Sequence, residues 1–296
     1  MAATEALGRV LVTGGCGFIG CNFLRRVVPN HPETEWVNLD ALTYAGRLEN
    51  TTDFAQAENY RFVQGRIEDP NLVDDLLSEG FDAIVNFAAE SHVDRSIVGP
   101  GVFVEANVHG TQNLLEVARR REVERFVQVS TDEVYGSLES KDPPFTEESP
   151  LAPNSPYAAS KASADLFCRA YHETYGMSVM VTRCSNNYGP YQYPEKLIPS
   201  FIHHALRDKP VPLYGDGMNV RDWLHVDDHC SAVETVLREG TPGRVYNVGG
   251  NNEHPNIQIT RLILEYLGKP ESLISYVTDR LGHDRRYAIN SSLLRR

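Results

Sequence analysis

A chain of 296 residues, 41% hydrophobic and 23% charged, is long enough for one large domain or two closely packed ones with a real core. Forty acidic against 28 basic residues give a formal charge of −12, which argues against a nucleic-acid-binding surface; the one basic run, Arg119–Arg121, is interrupted by Glu122 and Glu124. The five cysteines, Cys16, Cys21, Cys168, Cys184 and Cys230, are scattered without a C-x-x-C pair, so neither a disulfide framework nor a zinc site is expected.

The opening M-A-A-T-E-A-L-G has no basic end followed by an apolar stretch, and no apolar run approaches membrane-spanning length. The expectation is a cytoplasmic protein with no membrane and no nucleic-acid partner. Along the chain, short runs rich in Val, Ile and Phe predict strands over 10–13, 36–40, 62–64, 83–88, 126–131, 179–183 and 245–248. Amphipathic stretches between them, such as 71–77, 111–120 and 162–171, predict helices. Strand–helix alternation implies an α/β fold, a Rossmann-like doubly wound parallel sheet buried on both faces. From Asn186 the pattern becomes irregular and rich in Gly, Pro, Asn and Tyr, which predicts a smaller, loop-rich substrate-binding domain. The expected division is a sheet domain over 1–185, resumed over about 226–265, and the smaller domain over 186–225 and 266–296.

The first strand runs into T-G-G-C-G-F-I-G, where Gly14, Gly17 and Gly20 follow a G-x-x-G-x-x-G spacing. Glycine allows the tight turn and close backbone approach to a pyrophosphate, and the helix opening near Phe18 presents free N–H groups to the anion. The second strand ends in Asp40. An acid there accepts hydrogen bonds from the adenosine ribose and repels a 2′-phosphate, favouring NAD over NADP. Further on, S-P-Y-A-A-S-K sets Tyr157 and Lys161 on one helix face, where a cation beside the phenol would lower its pKa and let Tyr157 act as a base on a sugar hydroxyl.

With these motifs the chain resembles the extended short-chain dehydrogenase/reductase superfamily. Within it, the chain is similar to the dTDP-glucose 4,6-dehydratase family through N-L-D-A-L-T-Y-A-G (38–46), A-A-E-S-H-V-D-R-S-I (88–97), S-T-D-E-V-Y-G (130–136), R-C-S-N-N-Y-G-P-Y-Q-Y-P-E-K-L-I-P (183–199), Y-G-D-G-M-N-V-R-D-W-L-H-V-D-D-H (214–229) and D-R-L-G-H-D-R-R-Y-A-I-N (279–290). The resemblance implies an enzyme that oxidises a nucleotide sugar at carbon 4, eliminates water across carbons 5 and 6, and returns the hydride to carbon 6. Thr131 would orient the carbon 4 hydroxyl, Glu133 would remove the carbon 5 proton, and Asp132 would protonate the departing hydroxyl; this acid–base order comes from the resemblance.

For the cofactor the resemblance adds Phe18, Ile19, Leu42, Thr43, Ile67, Ala88, Ala89, Ser91, Asn107 and Asn187. It assigns His92 and Asn186 to the sugar side. The nucleotide diphosphate falls to Lys196, Leu197, Pro212, Leu213, Tyr214, Arg221, Asn256, Asp279, Arg280, Gly282, His283 and Tyr287. Arg221 is the most physical of these, because a guanidinium matches diphosphate oxygens bidentately. A homodimer is also implied.

Two departures stand out. The family's G-D-I stretch contacts adenine through its acid, whereas this chain reads G-R-I; Ile67 can still pack on the ring, but Arg66 cannot accept the exocyclic amine's hydrogen bond. The resembling proteins also continue beyond the equivalent of S-S-L-L-R-R, and a less stable substrate-binding domain is the expectation. H-V-D-D-H (225–229) has two His at i, i+4, but no third ligand is apparent and the chemistry needs no metal; a strand ending near His225 and then an Asp N-cap is the reading. Rival readings are a 4-epimerase or decarboxylase of nucleotide sugars, against which the acid pair argues, and a non-catalytic NAD sensor, which would not need Tyr157 and Lys161.

Overall fold

The structure is a computed structural model that describes residues 7–295; residues 1–6, which include most of the segment read for a signal peptide, and Arg296 lie outside the described residues. The apolar runs form the seven strands of the main sheet: β1 (Arg9–Thr13), β2 (Glu35–Asp40), β3 (Tyr60–Gln64), β4 (Ala83–Asn86), β5 (Arg125–Thr131), β6 (Val179–Cys184) and, after three further strands, Val245–Val248. Between β6 and that last strand come β7 (Asn186–Tyr188), β8 (Val211–Tyr214) and β9 (Val220–His225), so Val245–Val248 is β10. The seven-stranded sheet is parallel throughout in the order β10-β6-β5-β4-β1-β2-β3.

The two-residue period of the strands sorts the core. Val10 and Val12 face one side with Val85, Val127 and Trp36, packed by α1 (Phe18–Asn30) through Phe23, Leu24 and Val27. Leu11 and Ile84 face the other, against Leu76 and Leu77 of α2 (Pro70–Leu77). Helix α3 (Val93–Val98) follows β4. Next, α4 (Gly101–Phe103) passes through a π-helical turn (Val104–His109) into α5 (Gly110–Arg120), whose Leu114 and Leu115 join the same face. Helix α6 (Pro156–Tyr175) starts where the Ser155 hydroxyl accepts from the Ala158 N–H at 3.1 Å, with Pro156 preset for the first turn, and stops at Gly176, φ +72°.

The region from Asn186 holds more structure than its loop-rich composition predicts. Helix α7 (Leu197–Ala205) carries Pro199, which sits in the first turn where no intrahelical N–H is lost. It packs through Phe201 and Ala205 on β8 and on α9 (Asn256–Tyr266), which supplies Ile257 and Leu264. Between them, α8 (Val226–Glu239) returns to the main sheet, covering the β1 face with Val226, Cys230 and Val233. Strand β11 (Glu253–Pro255) pairs antiparallel with β9, and β12 (Ile274–Val277) pairs with β8. Finally the chain returns through Ile289, which packs on Val134 and Tyr135 directly beyond β5.

The order in which strands are added reverses between β1 and β4, and a crevice opens there beyond the carboxyl ends of the strands, the usual ligand position in such sheets. Under that crevice α6 is anchored by a buried ion pair: Arg183 Nε donates to Asp165 at 2.8 Å, and its Nη1 donates to the Tyr135 hydroxyl at 3.0 Å. Removing one partner leaves a buried charge uncompensated. Asp165→Leu is therefore expected to lower stability by about 3–5 kcal/mol, and the Asp165→Leu/Arg183→Met double variant to recover most of it; thermal unfolding of both, with the double variant no more stable than the single, would refute the pair's role.

Candidate active site

The carboxyl ends of β1 to β6 meet at one cavity of about 490 Å³. At the end of β1 the backbone is bare by necessity. Gly14 has φ +70°, and a Cβ there would lie 2.7 Å from the Ala88 nitrogen; on Gly20 it would lie 2.3 Å from the Gly14 carbonyl oxygen. Helix α1 starts without a side-chain cap, leaving its first N–H groups for an anion. At the end of β2, Asp40 is buried and accepts from the Leu42 N–H at 2.7 Å and the Cys16 N–H at 2.8 Å. Burial pushes its carboxyl up, against the pull of those two donors. It thus ties the glycine loop to the second strand.

Beyond β5, the Thr131 hydroxyl accepts from the Glu133 N–H at 3.2 Å and starts a single 3-10 turn, Asp132–Tyr135, which closes at Gly136, φ +89°. That turn points both carboxylates into the cavity. Asp132 is 2% exposed and its Oδ2 has no partner among the described residues. Desolvation, then the adjacent Glu133 and also Asp222, push its carboxyl well above the ordinary range, with Arg221 opposing. Glu133 is also raised by desolvation, but three cations, Arg280, Lys196 and Arg221, work against the rise. The two neighbours are therefore split: Asp132 is the stronger proton holder, and Glu133 is the carboxylate that its surroundings keep ionisable.

Tyr157 and Lys161 lie one turn apart on α6 and both line the cavity. The expected effect of the lysine on the phenol is not found. Tyr157 lies well above its ordinary value because burial dominates, with the Glu133 and Cys184 charges adding to it and only Thr131 opposing. Lys161 is itself lowered by burial, and its Nζ donates to the Val129 carbonyl at 2.7 Å. Burial also pushes the neighbouring Cys184 thiol up to about 12, so it is no rival base.

The cations come from the smaller region. Arg221 is 4% exposed, lies over the Tyr287 ring at 4.2 Å, and donates to the carbonyls of Val220 at 2.7 Å and Asp284 at 3.0 Å. Among the described residues it has no carboxylate partner, so its charge is held ready for an anion. Lys196 Nζ donates to the Ser91 carbonyl at 2.8 Å, and Arg280 approaches Asp94 at 3.6 Å. Leu197, Pro212, Leu213, Tyr214, Asn256 and His283 complete that wall, and the Asn256 Oδ1 is buried without a partner. His92 stands 3.7 Å from Glu195, and burial lowers it below the ordinary histidine value.

Most of the expected residues meet here: Gly14, Gly17, Phe18, Ile19, Gly20, Thr43, Ile67, Ala88, Ala89, Ser91, Asn186 and Asn187 also line the cavity. Four expected contacts do not. Leu42 takes a positive φ of 50° and serves Asp40 from behind. Asn107, on the π turn, binds the Glu90 backbone on both sides and the Ser160 hydroxyl at 2.8 Å, shaping the wall instead of forming it. Asp279 turns to the His283 ring, and Gly282 makes the turn packed on Asn154, where a Cβ would be 2.8 Å from the carbonyl. Arg66 lines the crevice and stands 3.7 Å from Glu68, which lines it too. Ser130, Ser185, Glu195 and Trp223 line the cavity without having been expected; the first three each adjoin an expected residue, and Trp223 lies two residues beyond Arg221 on β9, where the two-residue period of a strand would have found it.

H-V-D-D-H resolves differently from its reading. The cap of α8 is His225 itself, whose Nδ1 accepts from the Asp227 N–H at 3.3 Å; both Asp residues lie inside the first turn, where their charge suits the helix dipole. His229 turns inward to Asn187.

A parallel sheet with this glycine loop, a Tyr-x-x-x-Lys helix and an acid pair at the strand end defines an extended short-chain dehydrogenase/reductase. Within that class, the family model described as GDP-mannose 4,6 dehydratase matches residues 11–296, and the chain belongs to that family. It is similar to a dTDP-glucose 4,6-dehydratase of Xanthomonas campestris, 54% identical over 96% of this chain and 86% of the relative. It is also similar to the low-salt glycan biosynthesis protein Agl12 of Haloferax volcanii, 53% identical over 96% and 90%. Among solved structures, DesIV, a dTDP-glucose 4,6-dehydratase from Streptomyces venezuelae with NAD and TYD bound, aligns with a TM-score of 0.94 at 52% identity, covering 97% of this chain and 89% of that one.

Because the folded state raises the Asp132 carboxyl, it binds more protons than the unfolded chain above the ordinary carboxylate value of about 4, and stability falls as pH rises through that window. Asp132→Asn removes the penalty. Its melting temperature should exceed the parent's at pH 8, with the gap shrinking toward pH ~4; a variant no more stable than the parent at pH 8 would contradict the assignment.

Proposed function

We propose that this chain converts dTDP-glucose to dTDP-4-keto-6-deoxyglucose and water as an NAD-dependent hydro-lyase. The observation that carries the reading is the split acid pair beside Tyr157: a redox-only or epimerising site has no use for a buried proton holder next to an ionisable carboxylate. The crevice suits a dinucleotide, through the bare glycine loop, the uncapped α1 and the buried Asp40 at the β2 end, whose charge disfavours a 2′-phosphate. When bound, NAD supplies a hydride acceptor at the sugar, a positive ring that favours the phenolate and, once reduced, the hydride that is returned.

The protein's own groups do the rest. Thr131 orients the carbon 4 hydroxyl and Tyr157 takes its proton, with Lys161 fixed beside it by the Val129 carbonyl. The ketone acidifies the carbon 5 hydrogen, which Glu133 removes while Arg280, Lys196 and Arg221 stabilise the carboxylate. Asp132 protonates the departing carbon 6 hydroxyl so that water leaves, and carbon 5 takes a proton back as the hydride returns to carbon 6. His92 and Asn186 hold the sugar side; Lys196, Arg221, Asn256 and Arg280 hold the diphosphate, Arg221 being pre-aimed by two carbonyls and the Tyr287 ring. Asn187 serves the nicotinamide side. The NAD-binding domain is formed by 1–185 and about 226–265, and the remaining segments form the substrate-binding domain.

Two further elements belong to the reading. The protein acts in the cytoplasm, supported by five unpaired cysteines and the lack, among the described residues, of any helix long and apolar enough to cross a membrane. It is a homodimer paired through α3, α4 and α6, where Val98 is 90% exposed and Val102, Leu166 and Phe167 are exposed beside it.

Incubation with dTDP-glucose in deuterated water is expected to give a 4-keto-6-deoxy product labelled at carbon 5 without added reductant; an epimerised hexose, or turnover of only the GDP sugar, would sink the reading. Glu133→Gln should still accumulate bound NADH but lose about 10²–10⁴-fold in water elimination. For the assembly, Leu166→Glu should shift the sedimentation coefficient from dimer to monomer.

A further inference from the structure

The second histidine of H-V-D-D-H lies one turn into α8 and is fully buried, with Nδ1 2.9 Å from the Asn187 Oδ1. An amide oxygen only accepts, so Nδ1 carries the hydrogen and donates. Burial lowers the ring to about 4, so it is neutral at working pH, and its Nε2 has no partner among the described residues. The Asn187 amide is held at its other end too: Nδ2 donates to the Ser185 carbonyl at 2.9 Å, and the Asn187 backbone carbonyl accepts from Gln192 Nε2 at 2.9 Å. Turning the amide over would set oxygen against oxygen at Ser185 and force His229 into the Nε2–H tautomer, with a buried donor that has no partner among the described residues. The other Nδ2 hydrogen lies on the cavity side, beside the Cys184 thiol.

We propose that His229 is a positioning residue that locks the Asn187 amide so that a donor, never an acceptor, faces the nicotinamide carboxamide of bound NAD; this rests on the cofactor reading above. The lock matters because the hydride leaves the sugar at carbon 4 and returns at carbon 6, so the ring must keep one face toward the substrate throughout. A ring free to turn would strand the cofactor in its reduced form.

The test is a double-mutant cycle on NAD+ affinity by calorimetry, with thymidine diphosphate binding as the control. His229→Leu is expected to weaken NAD+ about tenfold, to leave thymidine diphosphate binding unchanged, and to increase the NADH released per turnover. In an Asn187→Ala background it should add less than about twofold, and His229→Gln, which keeps a donor, should restore most of the affinity. Equal weakening in both backgrounds, or none in either, overturns the positioning role. A parent protein that binds no NAD+ overturns the cofactor reading as well, so the two failures are distinct. Independently of any variant, 15N resonances of the parent's histidines should show a neutral Nδ1–H tautomer for His229; an Nε2–H tautomer overturns the proposal.

Discussion

The constraint on which the structure turns is the removal of two adjacent carboxylates from water. Asp132 and Glu133 sit on a single 3-10 turn at the end of a central strand, in a cavity where burial is the largest influence on both carboxyls. Such a pair is unfavourable unless opposite charge is supplied, and the main sheet supplies none. Lys196, Arg221 and Arg280 come instead from the chain after β6, which explains why the smaller region must close over this strand end and not another. Glu133 therefore depends on cations from the smaller region to stay ionisable, whereas the Asp132 carboxyl is raised by burial and its acidic neighbours.

The same economy governs the orientation of those cations. Arg221 is fixed by carbonyl oxygens and an aromatic face and has no carboxylate partner, so holding it in place does not cancel its charge. Asp40 follows the complementary rule: its two oxygens receive backbone N–H groups and keep the glycine loop in register with β2. Rigid backbone holds the charged groups, leaving their charge available to ligands.

Much of this was legible in the chain because it depends on period and spacing. The alternation that sends Val10 and Val12 to one face and Leu11 to the other, the bare glycine turn, and the single helical turn between Tyr157 and Lys161 are all local. What escaped depends on three-dimensional surroundings. The phenol's raised proton affinity comes from burial and from Glu133, neither of which the Tyr-x-x-x-Lys spacing encodes. Helix α7 was hidden because Pro199 reads as a breaker until its place in the first turn is known. Capping by His225 was missed because Asp227 and Asp228 are better caps by composition, and only the backbone shows which residue precedes the helix. Leu42 and Asn107 support the site from behind the wall, a distinction that no motif carries.

The π turn at Val104–His109 has a consequence for how this enzyme's length can vary. It inserts one extra residue into an otherwise continuous helix from Gly101 to Arg120, and in that turn Asn107 reaches both the Glu90 backbone and Ser160. Each residue of an α-helix advances the phase by about 100°. Deleting the extra residue would rotate Val102 and its neighbours by that angle relative to Leu114 and Leu115, swinging the outer apolar face away while the core face stayed in place. The helix therefore acts as a phase coupler between the crevice wall and the protein's outer surface, and an insertion or deletion within it changes that relation.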